Sequence, residues 1–172
     1  IRSNDENPLS SNVYIISRDS SGKLIVSPDN LKLNLRTYLN QFRLISDAVD
    51  ILDATVVNFG ISYNVVIDAF SNRTTVLQEI NKALKEYTNI LNFQIDQPII
   101  ITDLSNIIQN VDGVVSLSSM IVTGISGMVD ERQYSETAFN VDANTDRGII
   151  IPPPGAIFEM RFPDTDIVGN SV

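Results

Sequence analysis

The chain has 172 residues, 43% of them hydrophobic and 19% charged, a balance that builds one sizeable core or two small ones and not a disordered chain. Histidine, cysteine and tryptophan are absent, which removes the commonest general base and metal ligand, thiol nucleophiles, zinc–thiolate sites and disulfides. The net charge of −9, from 12 basic and 21 acidic residues, has the wrong sign for neutralising phosphates or an anionic bilayer, so neither a nucleic-acid nor a membrane partner is expected.

Residues 1–12 are polar, lack the apolar segment of a signal peptide and read as a linker or the end of a preceding domain. Val13, Tyr14, Ile15 and Ile16 predict a short strand. Asp19, Ser20, Ser21 and Gly22 follow as a turn, with Lys23, Leu24, Ile25 and Val26 as the hairpin partner. Ser27 followed by Pro28 is a helix start, an N-cap and then a proline at the first helical position. Beyond it Leu31, Leu35, Tyr38, Leu39 and Phe42 recur at three- and four-residue spacing, the stripe of an amphipathic helix. Residues 48–52 read as a weaker strand or extended connection.

The clearest strand spans residues 55–68, where Val57, Phe59, Ile61, Tyr63, Val65 and Ile67 alternate with Asn58, Gly60, Ser62, Asn64 and Asp68. Such alternation places one face in a core and the other in water, as in an antiparallel sheet. Asn72 then caps a helix over residues 73–89, with Val76, Leu77, Ile80, Leu84 and Tyr87 on one face. After Pro98, Thr102 caps a shorter helix holding Leu104, Ile107, Ile108 and Val111, which Asp112 and Gly113 end. Val115, Leu117, Ser119 and Ile121 alternate in a further strand. Residues 128–147 are polar with scattered anchors, Tyr134, Phe139 and Val141. Residues 148–151 and 157–162 predict two strands around Pro152, Pro153, Pro154 and Gly155, a stiff connection at a sheet edge.

This order predicts an α+β fold: a split βαβ (ferredoxin-like) sandwich, helices on one face of a mainly antiparallel sheet, with a C-terminal β-rich extension. The divisions expected are 1–12 as linker, 13–127 as the α+β core and 128–172 as the extension.

Little in the sequence carries chemistry. Asp47, Asp50 and Asp53 read as solvated carboxylates between two elements, and Asp164, Thr165 and Asp166 as a surface turn that lacks the remaining ligands of a calcium loop. Gly124, Ile125, Ser126 and Gly127 lack the pattern and lysine of a phosphate loop and read as a turn; Ser126 has no histidine to activate it. Two-carboxylate glycoside hydrolysis needs no histidine, but no carboxylate pair stands out. Tyr38, Phe42, Phe59, Tyr63 and Tyr87 lie on apolar stripes and read as core. No catalytic, cofactor-binding or metal-ligating residue is assigned.

Several collinear segments resemble the baseplate J-like family, in particular the C-terminal region of the baseplate wedge subunit of T4-like contractile-tailed phages. They are Leu35, Arg36, Thr37, Tyr38, Leu39, Asn40, Gln41, Phe42 and Arg43; Ile51 with Leu52, Asp53, Ala54, Thr55, Val56, Val57, Asn58, Phe59 and Gly60; Gln97, Pro98 and Ile99; Asn110, Val111, Asp112, Gly113 and Val114; and Ile157, Phe158, Glu159, Met160, Arg161, Phe162, Pro163 and Asp164, followed by Asp166, Ile167, Val168 and Gly169.

The resemblance implies a non-enzymatic virion scaffold, assembled in the host cytoplasm into the tail baseplate. It implies association with other copies of itself, as a homodimer or ring, and with other baseplate wedge proteins. The C-terminal strands are the expected contact region, with Ile149, Ile150, Ile151, Ile157, Phe158 and Phe162 as interface residues, because the extension is thin in apolar residues for a self-standing unit. A carbohydrate- or receptor-binding module of a phage tail or bacterial surface protein is the alternative, and a histidine-free hydrolase the third reading.

Overall fold

The computed structural model describes residues 2–3, 10–42 and 48–171. It is a mixed α/β chain with mostly antiparallel strand pairs, and it divides into two compact units, residues 1–55 and 56–172. The boundaries expected after residues 12 and 127 do not coincide with that division.

The first unit runs β1 (Arg2–Ser3), β2 (Ser10–Ile15), β3 (Ser17–Arg18), β4 (Leu24–Ile25), α1 (Asp29–Asn40) and β5 (Ala48–Asp53). β2 lies between antiparallel β1 and parallel β5. Residues 2–3 and 10–12, expected in a linker, are therefore strand; a ladder uses backbone groups and tolerates polar side chains. The hairpin also differs from expectation, since β3, not residues 13–16, pairs with β4. Asp19 explains the shift. Its Oδ1 accepts from the Ser21 and Lys23 amides at 2.8 and 2.9 Å, and Gly22 takes a φ of +86°, so the turn closes tightly at Arg18 and Leu24.

α1 begins one residue later than the sequence suggests. Pro28 occupies the cap position, and its carbonyl accepts from Leu31 and Lys32. Ser27 does not cap; its buried hydroxyl bonds that of Ser17 at 2.9 Å. No α1 residue is fully buried. Lys32, Leu35 and Leu39, at spacings of three and four, are its most covered positions, and α1 packs against β5. Tyr38 and Phe42, expected in a core, are 58% and 70% exposed with their rings edge to face. The apolar stripe is wider than the single strand it packs on.

The second unit runs β6 (Thr55–Ile67), α2 (Arg73–Tyr87), β7 (Ile99–Ile100), α3 (Ile101–Gln109), β8 (Val114–Ile125), β9 (Met128–Val129), β10 (Arg132–Gln133), β11 (Thr145–Asp146), β12 (Ile149–Ile150), β13 (Ala156–Glu159), α4 (Pro163–Asp166) and β14 (Ile167–Ser171). β6 is the central strand, antiparallel to β8, parallel to β14 and also paired with β13. α2 packs on β14 and on α3, and α3 on β8. Val57, Phe59, Ile61, Tyr63 and Val65 are buried, as their alternation predicts, with Val76, Ile80 and Leu84 of α2 and Leu104 and Ile108 of α3. Asn72 caps α2, its side chain accepting from the Thr75 amide at 3.2 Å. Thr102 does not cap α3. That helix starts where β7 ends, and the Ile101 amide is taken by the Gly148 carbonyl instead.

Two irregularities overturn the even alternation expected in β8. Its register with β6 skips a residue on passing Ser118 and again on passing Val115. Each skip reverses which face the following residues present, so Val115 and Ile121 are 64% and 58% exposed while Leu117 and Val122 turn inward.

Residues 128–172 are not an appendage. β13 and β14 complete the sheet of β6, and β12 joins β7. Two-residue turns with positive φ at both positions, Asp130–Glu131 and Arg147–Gly148, close the β9–β10 and β11–β12 hairpins with the twist that antiparallel strands favour. The proline connection is held by Asp96, whose carboxylate accepts from the Gly155 amide at 2.6 Å and whose own amide donates to Ala156.

Candidate interaction surface

The small sheet of β11, β12 and β7 sorts the isoleucines by register. Ile150 faces Ile99 across the ladder and both are buried; Ile149 faces Ile100 and both are 39% exposed. Ile151, two residues beyond Ile149, is 50% exposed. Period-two geometry thus sends one pair into the core and leaves an apolar group, Ile100, Ile149 and Ile151, facing out.

Of the six interface residues expected from the sequence, Ile149 and Ile151 are on this surface. Ile150, Ile157 and Phe158 are core: each is at most 4% exposed, and a side chain so covered has no area to offer a partner. Phe158 stacks edge to face on Phe59 and Phe139. Phe162 is half-buried against the ring of Tyr134, 5.2 Å away. Ile100, a member of the surface group, went unnoticed because the sequence places it beside a proline connection, with no sign of its partner 49 residues on.

In the first unit Leu31, Leu33 and Tyr38 of α1, and Phe42 in the turn after it, are exposed. Beside them a cavity of about 360 Å³ is lined by Asp29, Asn30, Lys32, Leu33, Arg36 and Ile51. Lys32 binds Asp53 at 2.6 Å and Asp29 at 3.4 Å, and its ammonium pKa is raised, chiefly by the bond to Asp53. Asp53 is therefore an ion-pair partner and not a free solvated carboxylate; Asp47 lies outside the described residues.

The second unit holds a cavity of about 430 Å³ over Gly60 and Ser62, walled by Thr123, Asp130, Arg132, Tyr134 and Asp166 among others. Two polar connections join distant parts of the chain in this unit, the first between two residues that line the cavity. Tyr134 donates to Asp166 at 2.6 Å, and the other Asp166 oxygen accepts from the Phe162 amide at 2.8 Å. Asn58 donates to the Glu159 carboxylate at 2.9 Å and accepts from the Ser135 amide at 2.7 Å, while Arg161 pairs with Glu159 at 3.2 Å. Asp166 is 6% exposed, which corrects its reading as part of a surface turn; Asp164, by contrast, is exposed and pairs with Lys85.

No protein-family model matches the chain, and no curated protein is significantly similar to it. Among the described residues no group of three or more acidic side chains is placed to hold a metal ion. Gly124 and Gly127 flank the end of β8, and Gly124 is where the Phe139 carbonyl crosses so closely that a Cβ would overlap it.

Proposed function

We propose that the chain is a non-enzymatic structural domain acting through protein–protein contacts, within the wedge of a contractile-tailed phage baseplate. The collinear resemblance to the baseplate J-like family supports that setting, and with it a place in the virion tail and partners among other copies and other wedge proteins. The observation that carries the assembly reading is the outward group Ile100, Ile149 and Ile151. Polar residues would serve a solvated sheet face equally well in folding, so isoleucines held there by register are the pattern of a surface that another protein covers. The finer description of the fold, a split βαβ core, belongs to the same proposal. It is supported by β6 running between an antiparallel and a parallel neighbour, with α2 and α3 on adjoining strands. Light scattering across a wide concentration range tests the function. A dimer or larger closed species is expected, and a monomer at every concentration argues against self-assembly.

The cavity over Gly60 and Ser62 favours a second reading, a carbohydrate- or receptor-binding module. Ser62, Thr123 and Thr165 line it together with Arg132 and Asp130, residue types that suit a small polyhydroxylated ligand. Binding on a sugar array, abolished by Arg132→Ala at unchanged melting temperature, would move the assignment to this class.

A further inference from the structure

We propose that the free edge of β8 is a strand-addition site, and that its occupant is β8 of a second copy, run antiparallel across a two-fold axis. This deepens the assembly reading and rests on it. β8 is 12 residues long, and among the described residues its strand partner is β6, along one edge. No other backbone group of the described chain bonds residues 115–125.

Unpaired edges recruit other strands, and folded proteins blunt them with charge, proline or brevity. In the first unit β5 carries Asp50 and Asp53, and in the second β14 has five residues. β8 has none of these protections. Residues 113–129 contain no charged residue and no proline, the longest charge-free stretch of the chain. The next longest, residues 54–67, includes the central strand β6, whose partners take up both of its edges. The register skips are confined to the N-terminal half of β8, so residues 119–125 form a regular ladder with β6 and leave a regular edge opposite it.

The charge pattern selects the occupant. Two copies that each carry −9 repel one another, and they meet at least cost where charge is missing from both. Antiparallel pairing of one strand with itself is isologous, so every side chain meets an equivalent set from the same sequence. Ser119, Ile121 and Thr123, all exposed on the face away from the helices, then continue as a row of hydroxyl and β-branched pairs across the axis.

The experiment combines light scattering over a concentration series with hydrogen exchange of the β8 amides in dilute and concentrated solution, for the wild-type chain and Ile121→Lys. A dimer of twice the 19.0 kDa chain mass is expected, with residues 115–125 exchanging more slowly when concentrated. Ile121→Lys changes an exposed position, keeps the melting temperature and weakens dimerisation about tenfold or more, because like charges meet across the pair. The chain has no cysteine, so single cysteines at Ser119, Ile121 and Thr123 report the register: one of them oxidises to a covalent dimer ahead of the others. A dimer that Ile121→Lys leaves intact, with β8 amides indifferent to concentration, overturns the edge and leaves self-association standing. A monomer at every concentration overturns both, and leaves the edge to a strand of another protein.

Discussion

Tyr134 and Asp166, 32 positions apart, meet in a buried hydrogen bond of 2.6 Å that ties the polar segment after β8 to the turn leading into β14. The same carboxylate accepts from the Phe162 amide, and the Tyr134 ring rests on Phe162. Tyr134→Phe preserves the ring and removes the donor, leaving a buried carboxylate oxygen short of a partner. The expected cost is about 1–3 kcal/mol in urea denaturation. Tyr134→Ala costs more, since it also empties the ring site. An unchanged midpoint for Tyr134→Phe would show that water replaces the phenol at no cost.

Alkaline pH probes the same tyrosine. Burial, and then the bond to Asp166, push Tyr134 from its ordinary 10.0 up to about 12, and burial alone takes Tyr63 to about 12. Between these values the unfolded chain has released phenolic protons that the folded chain keeps, so the unfolded state binds fewer protons and stability falls as pH rises. This contribution is whole below about pH 10, declines from there to about pH 12 and is gone above. Urea midpoints measured across that window are expected to fall more gently for Tyr134→Phe and Tyr63→Phe than for the wild type.

Asn58 works as a two-sided clamp inside β6, and its amide makes it sensitive to replacement by an isostere. Its nitrogen donates to the Glu159 backbone and carboxylate, and its oxygen accepts from Ser135. Asn58→Ala strands these partners in a dry environment at an expected cost of about 2–4 kcal/mol. Asn58→Asp keeps the acceptor for Ser135 but sets a carboxylate against Glu159, and it is expected to cost more than alanine at neutral pH. Chemical denaturation of the two variants checks the order.

Asn58 also marks where sequence reading ran out. Its alternation partners Phe59, Ile61 and Tyr63 announce a strand with one buried face, and they are buried. The same pattern sends Asn58 to water, yet it is 0% exposed, because residues 134–135 and 159 return from the far end of the chain to cover it. α2 was legible for a related reason: its cap Asn72 and its stripe Val76, Ile80 and Leu84 are local signals. β14 was missed, since Gly169 and Asn170 break any apolar pattern and its strand character comes from pairing with β6. The surface group was half legible. Alternation in residues 149–151 can be read from the chain, but the choice of which isoleucines face inward depends on Ile99 and Ile100, supplied by a strand 49 residues away.

Gly169 faces Tyr63 across the parallel β6–β14 pair, and a Cβ there would overlap the phenol ring. The ring cannot retreat freely, because its hydroxyl is bonded to Asn81 on α2 at 2.7 Å. Gly169→Ala therefore forces either strand or ring to shift, at an expected cost of about 1–3 kcal/mol. In a double-mutant cycle, Gly169→Ala on a Tyr63→Ala background costs much less than on the wild type. Additive losses would place the strain elsewhere.

Adjacent isoleucines in β12 separate folding from assembly. Ile150 is fully buried opposite Ile99, so Ile150→Ala opens a cavity and is expected to cost about 2–5 kcal/mol. Ile149 and Ile151 are exposed, and Ile149→Lys with Ile151→Lys is expected to change stability by about 0.5 kcal/mol or less. Under the assembly reading the double lysine variant has its effect on association: it fails to bind whatever covers Ile100, Ile149 and Ile151, while its denaturation midpoint stays that of the wild type. Sedimentation of the wild-type and double-lysine chains with candidate partners, read beside their melting curves, distinguishes the two roles. A double-lysine variant that unfolds early would make these residues part of the core after all, and one that associates normally would remove them from the interface.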